Sequence, residues 1–568
     1  MPLVAPKCWQ VLHLSPIDFL CYNKSKDSGV CTEILHHGKE PRMFESHVFA
    51  RSAAHSAVLY WDKPAAAKAG AQYTVYLDGQ PAATCDRTHL TLTDLRSQAD
   101  YRADVFFAGR CVGSCEFRTT PVKHRIDVTE APFWAKGDGK TKNTAALQRA
   151  IDACGAGDAV YLPAGTYLTG ALRLHSNMEL YLDEGAVLQG TAEIVDYQPR
   201  IPSRFEGVEM RCYSSLLNLG TLDHTAGPNC ENVVIRGKGV IASGGRELAD
   251  KIIADEREHL KDYLAEHAAL VAECENERTI PGRVRPRLIN MSNCRNVWVH
   301  GLTLKNGASW NQHMIYSDNI ITDHCRFISE GVWNGDGWDP DSSTNCTLFA
   351  CEFSTGDDAV AIKSGKNPEG NQINRPSAHI YIFDCRSTAG HGICLGSEMS
   401  GGIEDVQIWD CDLTNSWSGI EIKGTPKRGG YVRGVTVRDC TAPRLMVHAV
   451  PYNNDGEPAP SQPMFSHMSF ERLTLTGRGL RDGGFENVEP IELAGFDAPG
   501  HELRDVTLCA NLDLDTGGFL AFADMFMDNV FADYLVQRKI SQARKQVGEA
   551  VRQVESIVGA LKRKYREL

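Results

Sequence analysis

The 568-residue sequence lacks any run of 18 uninterrupted apolar residues, so nothing in it reads as a membrane-spanning helix. It also lacks a long basic tract. With a formal net charge of −13, nucleic acid is a poor candidate partner, because phosphate binding relies on clustered cations. The same negative field means that an anionic substrate has to be drawn in by local cations. No CxxC pair occurs among the 19 cysteines, which are scattered along the whole length. They read as buried thiols, with a few disulfides as the alternative, and not as metal-binding clusters. The opening MPLVAPKCWQVLHLSPIDFLCYNKSKDSGV has no basic start followed by a continuous apolar segment and a small-residue cleavage site. The expected location is the cytoplasm, or a secreted or periplasmic one where a signal has been removed.

What is present describes an ordinary globular protein, with 42% hydrophobic and 23% charged residues. The length exceeds what one compact core supports, which calls for several domains or one elongated repeat. From about 48 to 120 the pattern is short alternating strands such as SAVLYW, QYTVYLDG, THLTLTDL and YRADVFF, parted by turn formers. A small β-sandwich is expected there within an N-terminal region 1–121, with Trp61, Tyr73, Leu92, Leu95 and Tyr101 in its core. Its layout resembles a fibronectin type III module, which suggests a spacer, with carbohydrate contact as the sharper alternative.

Beyond Pro121, FWAKGDGKTKNTAALQRAIDAC places Ala146, Leu147, Ala150 and Ile151 at helical spacing. Very short strands broken by Gly, Pro and Asn follow, and their recurrence up to about 515 predicts a solenoid. The segments IYIFDC, VQIWDC and VTVRDC repeat one apolar alternation ending in Cys. Cys325, Cys351, Cys385, Cys411 and Cys440 share this frame, 26, 34, 26 and 29 residues apart. Stacked coils of a parallel β-helix would line these small apolar thiols up inside the cylinder, about 4.8 Å per coil. The charged, helical-period stretch near 244–277 is expected to project as an inserted helix. The region 516–568 is expected to be a helical tail, whose Val547, Val551, Val554, Val558, Leu561 and Tyr565 form a heptad stripe. That stripe would cap the solenoid or join two chains as a homo-oligomer.

Four short motifs fall in consecutive coils: NGD at Asn334 to Asp336, GDD at Gly356 to Asp358, GHG around His391, and IEIK ending at Lys423. Asp336 and Asp358 are one coil apart, so stacking brings them to one face. Asp357 and Asp358 would point to opposite faces of a regular strand, and a bend would expose both. Crowded carboxylates repel, so one of the three should hold a proton near neutral pH while the others stay ionised. Glycoside hydrolysis needs such a set, an acid for the leaving oxygen and a carboxylate for water, roughly 6.5–9.5 Å apart in inverting enzymes. His391 could hold the acid's proton, and Lys423 could neutralise a substrate carboxylate. Alone, a DD or GHG is usually a solvated turn, and a calcium site is the main single-feature rival. Their co-occurrence at coil spacing favours catalysis.

Residues from about 125 to 515 resemble the polygalacturonase family, glycoside hydrolase family 28, in the order NGD, GDD, GHG and IEIK. The opening GDGKTKNTAALQRAID, the segment LPAGTYLTGAL and GSEMSGG also resemble bacterial members. The resemblance implies an all-β fold, a right-handed parallel β-helix over 122–515, and an inverting hydrolase with no metal or cofactor. It matches Asp357 to the general acid, Asp336 and Asp358 to the pair that activates water, His391 to the assisting histidine and Lys423 to the substrate-binding lysine. Asn334, Tyr452 and Glu421 join the expected substrate contacts. Glu421 stands where the family pattern has Arg, which opens the site to a neutral sugar such as rhamnose beside galacturonate. Arg428 is the expected replacement cation. The implied partner is a pectic oligosaccharide or polysaccharide, attacked from an end if the sandwich and the inserted helix wall off the cleft. A calcium-dependent pectate lyase and a non-catalytic carbohydrate-binding solenoid are the alternatives.

Overall fold

The computed structural model describes residues 48–515 and 520–539. The heptad stripe of the tail lies outside the described residues. At the start, Val48–Ser52, Ala57–Trp61 and His89–Leu92 form one antiparallel sheet. Gln80–Cys85, Tyr73–Leu77, Asp100–Phe107 and Arg110–Arg118 form a second. Alternation puts Trp61, Tyr73, Leu92 and Leu95 between the sheets, with Tyr101 half-buried against them.

From His124 onward the chain winds through three parallel sheets of 14, 11 and 8 strands, a parallel β-helix. Period-two alternation in short strands builds its core. Ile320, Cys346, Ile380, Val406, Val435 and Met468 are register partners coil upon coil, all pointing inward. The cysteines of the repeat stack as a ladder of buried thiols. The Cys325 amide donates to the Cys351 Sγ at 3.4 Å and the Cys411 amide to the Cys440 Sγ at 3.5 Å. The ladder cysteines Cys325, Cys351, Cys385, Cys411 and Cys440 are free thiols. Coils bend at a left-handed residue, where Asn232, Asn296, Asn319 and Asn345 take φ of 54–59° without the penalty a branched side chain would meet. Their amides chain outside, Asn319 donating to Asn296 at 2.7 Å and Asn296 to Asn232 at 3.1 Å.

The helix Thr144–Asp152 packs Leu147, Ala150 and Ile151 onto the first coils. The inserted helix Gly245–His259 is docked, which corrects the expectation that it projects. Its charged face is real, but Leu248, Ala249, Ile252 and Ile253 form a stripe buried against Tyr197 and Tyr213. The expected start of a helical tail at 516 is also corrected. Phe522–Met525 and Met527–Lys539 are strands that extend the 11- and 14-stranded sheets, the second pairing with Leu503–Asp515 over its whole length. No helix among the described residues is long and apolar enough to cross a membrane.

The sandwich sits on the outer face of the 14-stranded sheet, where Tyr60 and Val58 cover the stack Phe349, Phe383 and Trp409. Ring centroids in that stack are 4.8 and 4.4 Å apart. The buried Lys63 ammonium lies 2.7 Å from both Asp410 and Asp439, and the Trp409 indole donates to Thr88 at 2.8 Å. The sandwich therefore walls off no part of the sheet that carries the acidic motifs, which is a different one.

Candidate active site

The motifs occupy the 11-stranded sheet, which includes Trp338–Asp341, Val360–Ile362, Gly392–Leu395, Gly419–Gly424 and Leu445–Ala449 as successive rungs. Inward positions are apolar, such as Trp338, Ile362, Ile393 and Ile422. The outward positions carry the chemistry. One outward column runs Ala361, Cys394, Glu421, Met446, Glu492, and another pairs Asp341 with Lys363 and Lys423 with His448.

Asp336, Asp357 and His391 lie on the turns that lead into three consecutive rungs, and the adjoining aspartates sit in a bend, so both face the groove. The amide of Gly337 donates to the Asp358 carbonyl at 3.0 Å, which fastens the first turn to the second. His391 Nδ1 lies 3.2 Å from Asp357 Oδ1 and 3.3 Å from Asp358 Oδ1. Lys423 Nζ is 3.4 Å from Asp358 Oδ2, and Lys363 Nζ is 3.3 Å from Asp336 Oδ2. Asp357 is the most open of the three acids, its side chain 23% exposed against 4% for Asp336. Gly390 is obligatory here. At φ +101° its missing Cβ would stand 2.2 Å from Thr355 Oγ1 and 2.6 Å from the Asp357 carbonyl.

The three acids are tuned apart. Burial pushes Asp336 up to about 8, with Lys363 opposing and the charges of Asp357 and Asp358 adding to the rise. Burial would raise Asp358 too, yet Lys423 and His391 outweigh it and hold the carboxyl below the usual range. His391 is lifted well above the ordinary imidazole range, because Asp357 and Asp358 overcome its burial. The expected proton of the free site is therefore on Asp336, and Asp358 is ionised. Asp357, Asp358 and His391 offer ligand atoms within 4.8 Å of one another, a spacing that a metal ion also fits. A protonated His391 donates to both carboxylates and cannot at the same time lend them its lone pair.

The groove thus brings together Asp336, Asp357, Asp358, His391, Lys423 and Glu421, and Tyr452 lies beside Lys423. Two expected contacts are placed otherwise. Asn334 turns its Oδ1 to Arg285, which donates to it at 2.6 Å and so pins the NGD turn. Arg428 is fully buried, donating to Ser397 O, Asn367 Oδ1 and Asn453 O at 2.6–2.8 Å. With its guanidinium spent on loops, it is not the replacement cation.

Sequence reasoning missed Lys363, Glu398, Asp339, His448 and Glu492. Lys363 bridges Asp336 and Glu398, 3.5 Å from the latter, above the Trp310 ring. Asp339 is fully buried beside Asp336 and Lys363, and burial pushes its carboxyl well above the usual carboxylate range. The available signal was a charge inside an otherwise apolar short strand, as in VAIK and IEIK. The insert also reaches the site. Half-buried Glu275 is raised by burial and then by the charge of Asp357, and Glu273 pairs with Lys427 at 3.3 Å.

Fold and site define a pectin-lyase-like parallel β-helix whose acid-lined groove lies on one sheet. Residues 219–445 match the family "Glycosyl hydrolases family 28". Residues 131–196 match "Rhamnogalacturonase A/epimerase, pectate lyase-like". The chain is 32% identical over 348 residues to the exo-poly-α-D-galacturonosidase of Dickeya chrysanthemi, covering 58% of this chain and 57% of that one. It spans less than two thirds of the length of this relative and of a probable polygalacturonase of Vitis vinifera. Among solved structures, the hyperthermoactive exopolygalacturonase of Thermotoga maritima superposes with a TM-score of 0.57 at 27% identity, covering 72% of this chain and 92% of that one. The family 28 exopolygalacturonase of Yersinia enterocolitica shares the fold, with a TM-score of 0.69 at 21% identity over 87% and 98% of the two chains.

Proposed function

We propose that the protein hydrolyses α-galacturonosyl linkages of pectin with inversion, removing residues from a chain end. The observation that carries this reading is the convergence of three differently tuned carboxyl groups, with His391 and Lys423, in one groove. Asp357, the most exposed of the three, takes up a proton from solvent before each turnover and donates it to the leaving oxygen. Asp358, ionised by Lys423 and His391, takes the proton of the attacking water, and protonated Asp336 orients that water from the neighbouring coil. His391 steadies the negative charge that develops as Asp357 gives up its proton. Attack at an end is supported by the insert, which sets Glu275 near Asp357 and ties Glu273 to Lys427 beyond the Lys423 strand. The Dickeya relative named an exo-poly-α-D-galacturonosidase supports the same mode. The sandwich, with its sheets of three and four strands, is read as a fibronectin type III-like buttress.

The test offers pectic oligosaccharides to wild type and Asp357→Asn and identifies the sugars released over time. Free galacturonate from the first minutes is expected from wild type, and none from the variant. An early ladder of intermediate oligomers would refute end-attack. The spacing of Asp357, Asp358 and His391 keeps a calcium-dependent lyase as the second reading. Loss of activity with a chelator, together with an unsaturated ultraviolet-absorbing product, would establish it.

A further inference from the structure

Beyond the catalytic carboxylates the groove floor carries a line of alternating charges. Asp358 pairs with Lys423 at 3.4 Å, Lys423 with Glu421 at 3.5 Å and Glu421 with His448 at 2.9 Å. His448 pairs in turn with Glu492 at 3.0 Å, and Glu492 with Arg444 at 3.6 Å. Burial works against His448, but Glu421 and Glu492 raise it to about 9, so it is a cation at neutral pH. Burial would raise Glu421, yet Lys423 and His448 bring it down to about 2, so it is an anion. Three cations and three anions therefore neutralise one another along this flank. Lys423 spends its charge on two carboxylates, and Glu421 repels a third. What the flank still offers a sugar is hydrogen bonding, with Glu421 accepting and Lys423 and His448 donating.

The opposite flank differs. There Lys363 lies 3.3–3.9 Å from Asp336, Glu398 and Asp339, and burial pushes the Asp336 and Asp339 carboxyls above the usual carboxylate range, so fewer full negative charges face this cation. Next to it in register is Asp341, which pairs with Arg204. Lys363 is thus the cation on this side beside which a uronate carboxylate would be stabilised.

We propose that the groove over Lys423, Glu421 and His448 binds an uncharged sugar, so that the bond cleaved joins galacturonate to a neutral sugar and Glu421 sets this preference. The inference rests on the hydrolase reading above and narrows its substrate. A carboxylate placed over the flank would be desolvated against Glu421 with no free cation to meet it, whereas hydroxyl groups find acceptor and donors already in place.

The test uses the full chain and two oligosaccharides of equal length, one of galacturonate alone and one alternating galacturonate with rhamnose. Released galacturonate gives kcat/KM for each. Wild type is expected to favour the alternating substrate by at least about tenfold. Glu421→Arg is expected to narrow or invert that ratio, and Glu421→Gln to reduce it, with thermal unfolding confirming that each variant is folded. Equal rates for wild type, or a preference for the all-uronate substrate, overturn the inference and leave the hydrolase reading standing. No new reducing ends from either substrate overturns the hydrolase reading itself. A wild-type preference that survives unchanged in a folded Glu421 variant removes Glu421 as its cause and overturns that assignment.

Discussion

Asp336 is a carboxyl group held neutral where an unfolded chain would ionise it. Its folded value of about 8 lies above the ordinary 3.8, so the stability it lends is complete below the unfolded value and drains away as pH rises toward the folded one. Asp336→Asn, which does not titrate, should therefore gain on wild type as pH increases. The expected gain is on the order of 5 kcal/mol near pH 8 and close to nothing near pH 4. Denaturant midpoints across that range measure it, while activity is lost at every pH. His448 titrates with the opposite charge but the same sign of linkage. Raised from 6.5 to about 9 between Glu421 and Glu492, it contributes fully below 6.5 and loses that contribution as pH climbs through 9. His448→Gln should cost roughly 3 kcal/mol at pH 6 and little above pH 10, read by the same unfolding series.

At the scale of the element, the turns before each rung carry the chemistry, and glycine makes them possible. Gly390→Ala would drive a methyl group into Thr355 and the Asp357 carbonyl from a backbone angle that alanine resists, displacing His391. Activity should fall on the order of 100-fold with little change in far-ultraviolet circular dichroism, because positioning fails before the coil does. The motifs NGD, GDD, GHG and IEIK were legible in the sequence since each binds its chemistry to a short local pattern. Lys363 and His448 were not, because they become neighbours of Asp336 and Glu421 only through inter-coil register. Arg428 was misread for the same reason: nearness in sequence to Lys423 does not decide which way a buried guanidinium points. The inserted helix showed its charge in the sequence, but its apolar stripe could not reveal the surface it docks on.

On the scale of the whole molecule, the sandwich is bolted to the β-helix by ions as well as by rings. Lys63 is 4% exposed between Asp410 and Asp439, so Lys63→Met would leave buried carboxylates short of a partner. The expected cost is about 3 kcal/mol, seen as a lower urea midpoint with kcat/KM unchanged, since the seam lies on another sheet from the groove. By itself the sequence determined the solenoid, the cysteine ladder, the sandwich core and the identity of the acidic trio, because period-two alternation and turn chemistry are local properties. It did not determine which acid keeps the proton, how Glu421 is neutralised, or which face each appended element covers. Those depend on burial and on charges drawn together from residues tens to hundreds of positions apart, and only the coiling of the chain sets those distances.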